Sequence, residues 1–393
     1  MILVDLSHTS HSNARTGIQR VARALHAALS AHTPTEAVCY DPHLGGWRLL
    51  EPWEKNNLFA TGTASAHRGV RWPLRAKLVG CARRITGTAA RLTPAGDDLI
   101  VPELFNVATA RNYSSLFARV RGQRVAIFHD AIVLKYPELS PAKTVARFPG
   151  FMRDLLAFDG IAANSRDSQQ CLLDYWRWLG VTRHPPVGMV SLGIDTPAAP
   201  PPAQPAGPSS RPPRVFCVGS LEGRKNHLAL LTACDELWQR GRKFELHLVG
   251  LVHPQTGRAA LEKLHSLQAA GRPLRYEGAM SDEVVHAAYH DCAFTVYPSF
   301  IEGFGLPVFE SLSYGKPCIC SGRGALGEAT TEGGCLALEA VDAASLAGAI
   351  DRLLGDDSLR NRLTAEARAR TFKTWSQYSR ELTDWMKTLP PRS

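Results

Sequence analysis

The sequence predicts an α/β protein with two Rossmann-like, doubly wound domains. Short apolar stretches typical of buried strands alternate along most of the chain with longer stretches of helical spacing. Eight prolines within residues 197–213 exclude a helix or a central strand there, and an α/β series lies on each side. The length of 393 residues suits two or three domains. We therefore expect domains over 1–196 and 214–370, a linker over 197–213, and a C-terminal helix within 371–393.

The first domain opens with a strand, a polar loop and an amphipathic helix. Its strands are predicted at 2–6, 125–128, 160–164 and 187–192, and its helices at 18–30 and 165–180. The loop over 7–16 carries more polar side chains than a plain connection requires, which favours a functional loop over a solvated one. These side chains are His8, His11, Asn13, Arg15 and Thr16.

The second domain repeats the alternation of strands and helices. Its strands are predicted at 215–218, 245–249, 274–276, 293–297 and 318–320. Its helices are predicted at 227–239, 258–269, 282–289, 308–314 and 343–354. No Gly-x-Gly-x-x-Gly follows the first strand of the chain, which argues against a dinucleotide-dependent dehydrogenase.

The most informative stretch runs from Tyr297 to Pro317. A predicted strand leads into Glu302-Gly303-Phe304-Gly305-Leu306, and a helix follows. Glycines allow a ligand to approach the backbone, and the N–H groups at a helix start attract phosphate. Glu302 and Glu310 flank this loop, and carboxylates suit hydroxyl groups rather than phosphates. The pattern therefore predicts a ligand with sugars on both sides of its phosphates, as in a nucleotide-sugar.

A second glycine loop precedes the helix at 227–239. It runs from Gly219 to Asn226 and contains the adjacent cations Arg224 and Lys225. Two cations at the entry to a helix suit a pyrophosphate, and a basic surface turn is the alternative.

The string E-G-F-G-L-P-x-x-E resembles the donor site of retaining GT-B glycosyltransferases of glycosyltransferase family 4. The string R-T-G-I-Q-R-V near the N-terminus is similar to the opening of bacterial polysaccharide mannosyltransferases in that family. The resemblance covers nearly the whole chain and is strongest over 215–330. It implies two domains that face each other across a cleft, with a C-terminal helix that crosses back to the first domain.

The resemblance also implies a role for individual residues. Glu302 would hold hydroxyl groups of the donor sugar, Glu310 the ribose, and Arg224 with Lys225 the diphosphate. The donor-binding set further includes Gly17, Gly219, Gly278, Met280, Gly303, Phe304, Gly305 and Leu306. His129 would contact the donor sugar from the first domain, and the acceptor side would include His8, Arg15, Thr16 and Asp130. Ser220 stands where an arginine is frequent in the family, which leaves more of the phosphate charge to Arg224 and Lys225.

The function implied is retaining transfer of a hexose, with mannose from GDP-mannose preferred, to a glycan or polyprenol-linked acceptor of a bacterial surface polysaccharide. No Asp-x-Asp triplet occurs, so we expect no metal, and we expect no cofactor beyond the donor substrate. A non-catalytic nucleotide-sugar-binding or scaffold protein of the same fold is the alternative. A pyridoxal-phosphate phosphorylase would need a Schiff-base lysine, for which Lys316 is the candidate.

The charge of the chain is unevenly distributed. Residues 1–190 hold 23 basic and 14 acidic residues, a difference of nine that equals the net charge of the whole chain. No acidic residue occurs from Lys55 to Gly96, where cations alternate with apolar residues, and Trp72–Arg91 can be drawn as one helix. We expect residues 55–96 to contact an anionic membrane surface, with a solvated basic loop as the alternative.

The remaining expectations concern the location and the partners of the protein. Nine cysteines without a C-x-x-C pair, no signal peptide and no apolar run long enough to span a bilayer indicate a cytoplasmic protein, peripheral at most to the membrane. We expect no nucleic-acid partner, and the oligomeric state is left open.

Overall fold

The computed structural model describes residues 1–12, 17–59, 69–195 and 212–392. Contacts divide the chain into two compact units. The first comprises Met1–Gly193 together with Lys373–Ser393, and the second comprises Ile194–Phe372. Most of the predicted linker over 197–213 lies outside the described residues.

The sheet of the first unit has the order β3-β2-β1-β4-β5-β6-β7 over the described residues, and all its strands are parallel except β3. The strands are β1 (Ile2–Asp5), β2 (Thr35–Asp41), β3 (Gly46–Leu49), β4 (Asp98–Val101), β5 (Arg124–Phe128), β6 (Gly160–Ala163) and β7 (Val187–Met189). The helices are α1 (Gly17–Ser30), α2 (Pro52–Phe59), α3 (Leu74–Ile85), α4 (Ala89–Leu92), α5 (Val107–Phe117), α6 (Ile132–Lys135), α7 (Ala142–Asp154), α8 (Arg166–Trp178) and the C-terminal α16 (Trp375–Lys387).

The sheet of the second unit is parallel and has the order β10-β9-β8-β11-β12-β13 over the described residues. The strands are β8 (Arg214–Val218), β9 (Glu245–Val249), β10 (Leu274–Glu277), β11 (Phe294–Tyr297), β12 (Cys318–Ser321) and β13 (Cys335–Leu338). The helices are α9 (His227–Gln239), α10 (Arg258–Ala269), α11 (Asp282–Asp291), α12 (Leu306–Ser313), α13 (Gly324–Thr330), α14 (Ala343–Gly355) and α15 (Asp357–Ala369).

Each unit buries its own core between sheet and helices. In the second unit the apolar runs of β8, β9 and β11 pack against α9, α10 and α14. Central strands of a parallel sheet are covered on both faces, which explains why these runs are continuously apolar in the sequence. The predicted fold class of two parallel α/β domains is confirmed.

The C-terminal helix α16 packs against α1 of the first unit. Thr374 and Gln377 form a capping box at its start. The Trp385 ring lies over Gly188, where an added Cβ would come within 2.4 Å of it. A larger residue at 188 would therefore collide with the docked helix.

The basic segment differs from the single predicted helix over 72–91. The structure has two helices, α3 and α4, because Gly87 adopts a left-handed conformation with φ 64° between them. Pro73 lies at the N-cap of α3. Among the described residues, no helix combines the length and apolar character needed to cross a membrane.

Candidate donor site

The strand order of the second unit brings two predicted loops together. Numbered within the unit, the order is 3-2-1-4-5-6, which is the order of a dinucleotide-binding Rossmann sheet. The order reverses between β8 and β11, and ligands of such sheets bind beyond the carboxyl ends of the strands at this point. The loop that follows β8 contains Arg224 and Lys225, and the loop that follows β11 contains Glu302.

Close backbone packing shapes the loop after β8. The N–H of Gly219 donates to the carbonyl of Val249 at 2.9 Å. A Cβ added at Gly250 would come within 1.9 Å of the Gly219 carbonyl oxygen, so position 250 accepts only glycine. Asn226 ends the loop in the left-handed conformation that asparagine tolerates, and its amide donates to the Val341 carbonyl at 2.6 Å.

Arg224, Lys225 and Glu302 form one ion cluster. Glu302 Oε1 lies 2.6 Å from Arg224 Nη1 and 2.7 Å from Lys225 Nζ. Arg224 Nη2 lies 2.8 Å from Glu222 Oε1, and Lys225 Nζ also contacts the Tyr297 hydroxyl. The sequence predicted three members of this cluster, and the structure brings them into direct contact.

Burial and charge act in opposite directions on these groups. Burial opposes ionisation of Glu302, but Arg224 and Lys225 outweigh it and lower the pKa of Glu302 to about 2. Burial also lowers the pKa of Lys225, as does Arg224, whereas Glu302 raises it. At neutral pH Glu302 is therefore an anion held between cations.

The loop after β11 ends at the start of α12. Gly305 is the N-cap residue of α12 with φ 92°, and a Cβ there would lie 2.7 Å from Leu326 Cδ2. Pro307 occupies the first turn of the helix, where its fixed φ is favourable. The Phe304 ring stacks on Phe309 at a centroid distance of 4.6 Å. The residues 303–306 thus have the fixed, glycine-dependent turn that a phosphate cradle requires.

The residues predicted for the ribose and the base also lie in the second unit. Glu310 is buried one turn into α12 and accepts a hydrogen bond from the Tyr289 hydroxyl at 3.1 Å. The carbonyl of Gly278, which follows β10, accepts from the Gly250 N–H at 3.1 Å. Met280 is half-buried and packs against the small cluster around Tyr289.

In the first unit, His129 is buried at the carboxyl end of β5. Its Nε2 donates to the Pro102 carbonyl at 2.7 Å, and its Nδ1 accepts from the Asn164 amide at 2.9 Å. Burial lowers the pKa of His129, although the bond to Pro102 opposes this shift. The ring is therefore neutral and fixed as one tautomer, and its predicted contact with the donor sugar stays a prediction.

The other predicted residues of the first unit surround the ends of β1 and β5. His8 follows β1 and lies within 3.2 Å of Gln19 through its Nδ1. Asp130 accepts a hydrogen bond from the Ile132 N–H at 3.0 Å at the start of α6. Gly17 is exposed and opens α1. Arg15 and Thr16 lie outside the described residues.

Glu103, which follows β4, was not predicted from the sequence as a site residue. Its carboxylate accepts from the backbone N–H of His8 at 2.9 Å and of Thr9 at 2.8 Å. Strands β1 and β4 are neighbours where the order of the first sheet reverses, so Glu103 occupies the corresponding switch point of this unit. Burial raises the pKa of Glu103 to about 7 against the opposing effect of its bonds to Thr9. The signal in the sequence was a carboxylate directly after a short apolar run.

Among the described residues, His11, Cys39 and Glu54 are the group with metal-ligand spacing, with potential ligand atoms within 4.8 Å of one another. Both carboxylate oxygens of Glu54 already accept from Arg48, at 2.7 and 2.8 Å. Burial also raises the pKa of the Cys39 thiol well above its usual value, which disfavours the thiolate that a metal needs. This donor set fits a buried ion-pair network better than a metal.

Comparison with known proteins finds a family match within the second half of the chain. Residues 203–370 match the family described as glycosyl transferases group 1. The chain is 27% identical over 352 residues to the serotype-specific mannosyltransferase WbdA of Escherichia coli, which covers 81% of this chain and 38% of WbdA. It is 33% identical over 175 residues to the O-antigen chain mannosyltransferase B of E. coli, covering 44% and 45% of the two chains. The chain thus spans less than half the length of either relative.

Solved structures share the fold at low sequence identity. Sucrose-phosphate synthase from Thermosynechococcus elongatus superimposes with a TM-score of 0.67 at 18% identity, covering 98% of each chain. Anabaena HepE in complex with UDP and glucose gives 0.65 at 16% identity, covering 99% of each chain. The chain accordingly has the GT-B fold, matches the family described as glycosyl transferases group 1 over residues 203–370, and is related in sequence to mannosyltransferases.

Proposed function

We propose that this chain is a retaining glycosyltransferase that moves a hexose from a nucleotide-diphosphate sugar to a glycan or polyprenol-linked glycan in bacterial surface polysaccharide synthesis. The observation that carries the proposal is the cluster of Arg224, Lys225 and Glu302 at the switch point of a glycosyl transferases group 1 domain. A cation pair beside a glycine turn suits a diphosphate, and buried carboxylates suit the sugars on either side.

The proposed donor is GDP-mannose. Two related proteins are named as mannosyltransferases, and one of them as an O-antigen enzyme. UDP-sugars are the main alternative, because the structurally similar HepE was solved with UDP. The base would be held by backbone groups near Gly278 and Met280, and the ribose by Glu310.

The proposed mechanism relies on electrostatic stabilisation of the leaving group. Negative charge accumulates on the diphosphate as the glycosidic bond breaks. Arg224 is held by Glu222, Lys225 contacts the Tyr297 hydroxyl, and the N–H groups at the start of α12 are fixed by the helix, so all of them are positioned to stabilise this charge in the donor complex. Glu302 would hold hydroxyl groups of the sugar. We assign no nucleophile, metal or cofactor to the reaction.

The proposed acceptor side lies in the first unit. It comprises His8, Asp130 and the loop that contains Arg15 and Thr16, and His129 would contact the donor sugar. Retention of configuration is proposed by analogy with a similarly folded trehalose-6-phosphate synthase, whose structure is titled as a study of glycosyl transfer with retention.

Thermal unfolding with a panel of GDP, UDP, ADP and dTDP tests the donor assignment. GDP should raise the melting temperature most, because at equal concentrations the ligand that binds most tightly stabilises the native state most. A ligand at a hundred times its Kd stabilises the native state by about 2.7 kcal/mol. A non-catalytic binding protein would show the same shift but release no GDP from GDP-mannose in the presence of acceptor. The assignment is wrong if none of the four diphosphates changes the melting temperature.

We also propose that α3 and its flanks contact an anionic membrane surface. Leu74, Leu78 and Ile85 share one face of α3 and are 72%, 63% and 87% exposed. The opposite face carries the small buried residues Ala76 and Gly80, which pack inward. An exposed apolar stripe on a helix without acidic residues is typical of an interfacial helix.

Exposed cations flank this stripe, and each contributes about 1 kcal/mol beside an anionic leaflet. They are Arg71, Arg75, Lys77, Arg84 and Arg91. Two predicted members of the segment have other roles. Trp72 stacks on His11 at a centroid distance of 4.0 Å, and Arg83 lies 2.7 Å from Glu51. Trp72 and Arg83 are therefore left out of the proposed membrane-facing surface, and residues 60–68 of the predicted range 55–96 lie outside the described residues.

Flotation with liposomes tests this contact. The protein should float with anionic vesicles, less at high salt, and a variant with Arg71, Arg75, Lys77 and Arg84 changed to Gln should not. Changing Arg240 and Arg258, exposed cations of the second unit, to Gln is the control and should leave flotation intact. Equal binding to neutral vesicles, or no binding, would contradict the proposal.

A further inference from the structure

One carboxylate oxygen occupies the position between the two cations assigned to the donor diphosphate. Glu302 Oε1 lies 2.6 Å from Arg224 Nη1 and 2.7 Å from Lys225 Nζ. A phosphate oxygen bound between both cations would lie where this carboxylate oxygen lies. The carboxylate and the diphosphate are therefore competitors for one subsite.

The charges of the cluster balance without a ligand. Arg224 and Lys225 contribute two positive charges, and Glu222 and Glu302 contribute two negative ones. The four side chains are at most 27% exposed, so water screens them only partly. A diphosphate added to this arrangement would lie against a carboxylate of the same sign, and such contact is unfavourable.

We propose that Glu302 is a placeholder anion: it fills the diphosphate subsite between Arg224 and Lys225 in the unliganded protein and leaves when the donor binds. This inference rests on the proposed donor site. Its consequence is an exchange of partners, in which the phosphate takes the cations and Glu302 becomes available for hydroxyl groups of the sugar. Donor binding and the availability of the Glu302 carboxylate for the sugar are thereby coupled.

The exchange requires that the Glu302 carboxyl group is ionised and not protonated. With its pKa lowered to about 2 by the two cations against the effect of burial, Glu302 remains ionised at neutral pH. The Phe300 N–H donates to the Arg224 carbonyl at 2.9 Å and ties the two loops together, so the exchange is proposed as a movement of the Glu302 side chain.

The competing interpretation is that Glu302 positions the cations for the phosphate. The two interpretations predict opposite signs for one measurement. If Glu302 competes, its removal strengthens diphosphate binding. If Glu302 only positions Arg224 and Lys225, its removal weakens diphosphate binding.

Calorimetric titration of the full chain with GDP, and separately with inorganic pyrophosphate, decides between them. Glu302→Gln and Glu302→Ala should bind both ligands roughly fivefold or more tightly than the wild type, because a charged competitor is gone. Glu236→Gln is the matched control. It removes the same charge from the same unit, about 14 Å along α9 from the helix start, and should leave both affinities unchanged.

The possible results separate this inference from the proposed function. Equal or weaker binding of pyrophosphate and GDP by both Glu302 variants, each checked for native unfolding behaviour, overturns the exchange. A wild type that binds no nucleoside diphosphate overturns the donor assignment instead. Pyrophosphate still decides the exchange in that case, because it needs only the cation pair.

Discussion

At the scale of single residues, the proposed donor site is built from side chains that lie far apart in the sequence. Arg224 and Glu302 are separated by 78 positions, yet they form one of the shortest ion pairs of the donor site. Their types and local motifs predicted that both bind the donor, but only the fold shows that they bind each other. The pairing follows from the adjacency of β8 and β11, which no local pattern records.

The change Lys225→Ala should weaken GDP binding about tenfold or more and leave guanosine binding nearly unchanged. A charge-assisted hydrogen bond to phosphate contributes about 1.5–3 kcal/mol, and the nucleoside has no phosphate. Arg224→Ala should behave similarly, and the double variant should be close to inactive. Calorimetric titration with both ligands is the measurement, and equal losses for GDP and guanosine would indicate a folding defect instead.

The change Glu302→Gln should lower turnover without raising the donor KM. The amide cannot provide the charged acceptor proposed for the sugar hydroxyl groups, whereas the cations that bind the diphosphate remain. Steady-state rates with GDP-mannose give both constants. Unchanged turnover would remove Glu302 from the reaction.

The change His129→Ala should abolish transfer while leaving the GDP affinity of the second unit intact. It also leaves the Asn164 amide and the Pro102 carbonyl without their partner, at a cost of about 1–3 kcal/mol in the free energy of unfolding. Asn164→Ala is the matched variant, because it removes one hydrogen bond but keeps the ring. Transfer at the wild-type rate by the His129 variant would show that this residue is only structural.

Glu103 shows where residue-level prediction from the sequence ends. It follows β4, a strand of only four residues, and so short an apolar run is hard to distinguish from a helix or loop segment. Because β4 was not predicted, no pattern in the sequence placed Glu103 at the end of a strand. Its backbone partners, His8 and Thr9, lie more than 90 positions away.

At the scale of secondary structure elements, long apolar or periodic stretches were predicted well. The strands β8, β9 and β11 and the helices α9 and α10 match their predicted ranges within one residue. The strands β2, β3, β4 and β13 were missed, and two of them, β3 and β13, are edge strands. β13 pairs only with β12 and is only partly buried, so it lacks the continuous apolar run of a central strand.

The packing of the loop after β9 against the loop after β8 yields a prediction for Gly250. Gly250→Ala should destabilise the second unit strongly, because its Cβ would overlap the Gly219 carbonyl oxygen. Gly271→Ala is the control. Gly271 also has a positive φ but open space around it, so this change should cost only the conformational strain of about 1–2 kcal/mol. Chemical denaturation compares the two, and equal losses would contradict the packing argument.

At the scale of the whole molecule, composition predicted two α/β domains and a proline-rich stretch between them. The contacts divide the chain after Gly193 and again after Phe372, so the first unit contains both ends of the described chain. Such a discontinuous unit could not be derived from periodicity, because it depends on the packing of α16 on α1. Only the resemblance to a known family implied it.

Proton NMR of the full chain with α-linked GDP-mannose and a short mannoside that carries a hydrophobic aglycone tests directly whether the protein transfers mannose with retention. We expect release of GDP together with a new anomeric signal of an α-linked mannose, and no such signal from the double variant of Arg224 and Lys225. A β-linked product would contradict retention. Bound GDP-mannose that stays intact in the presence of acceptor would contradict catalysis itself.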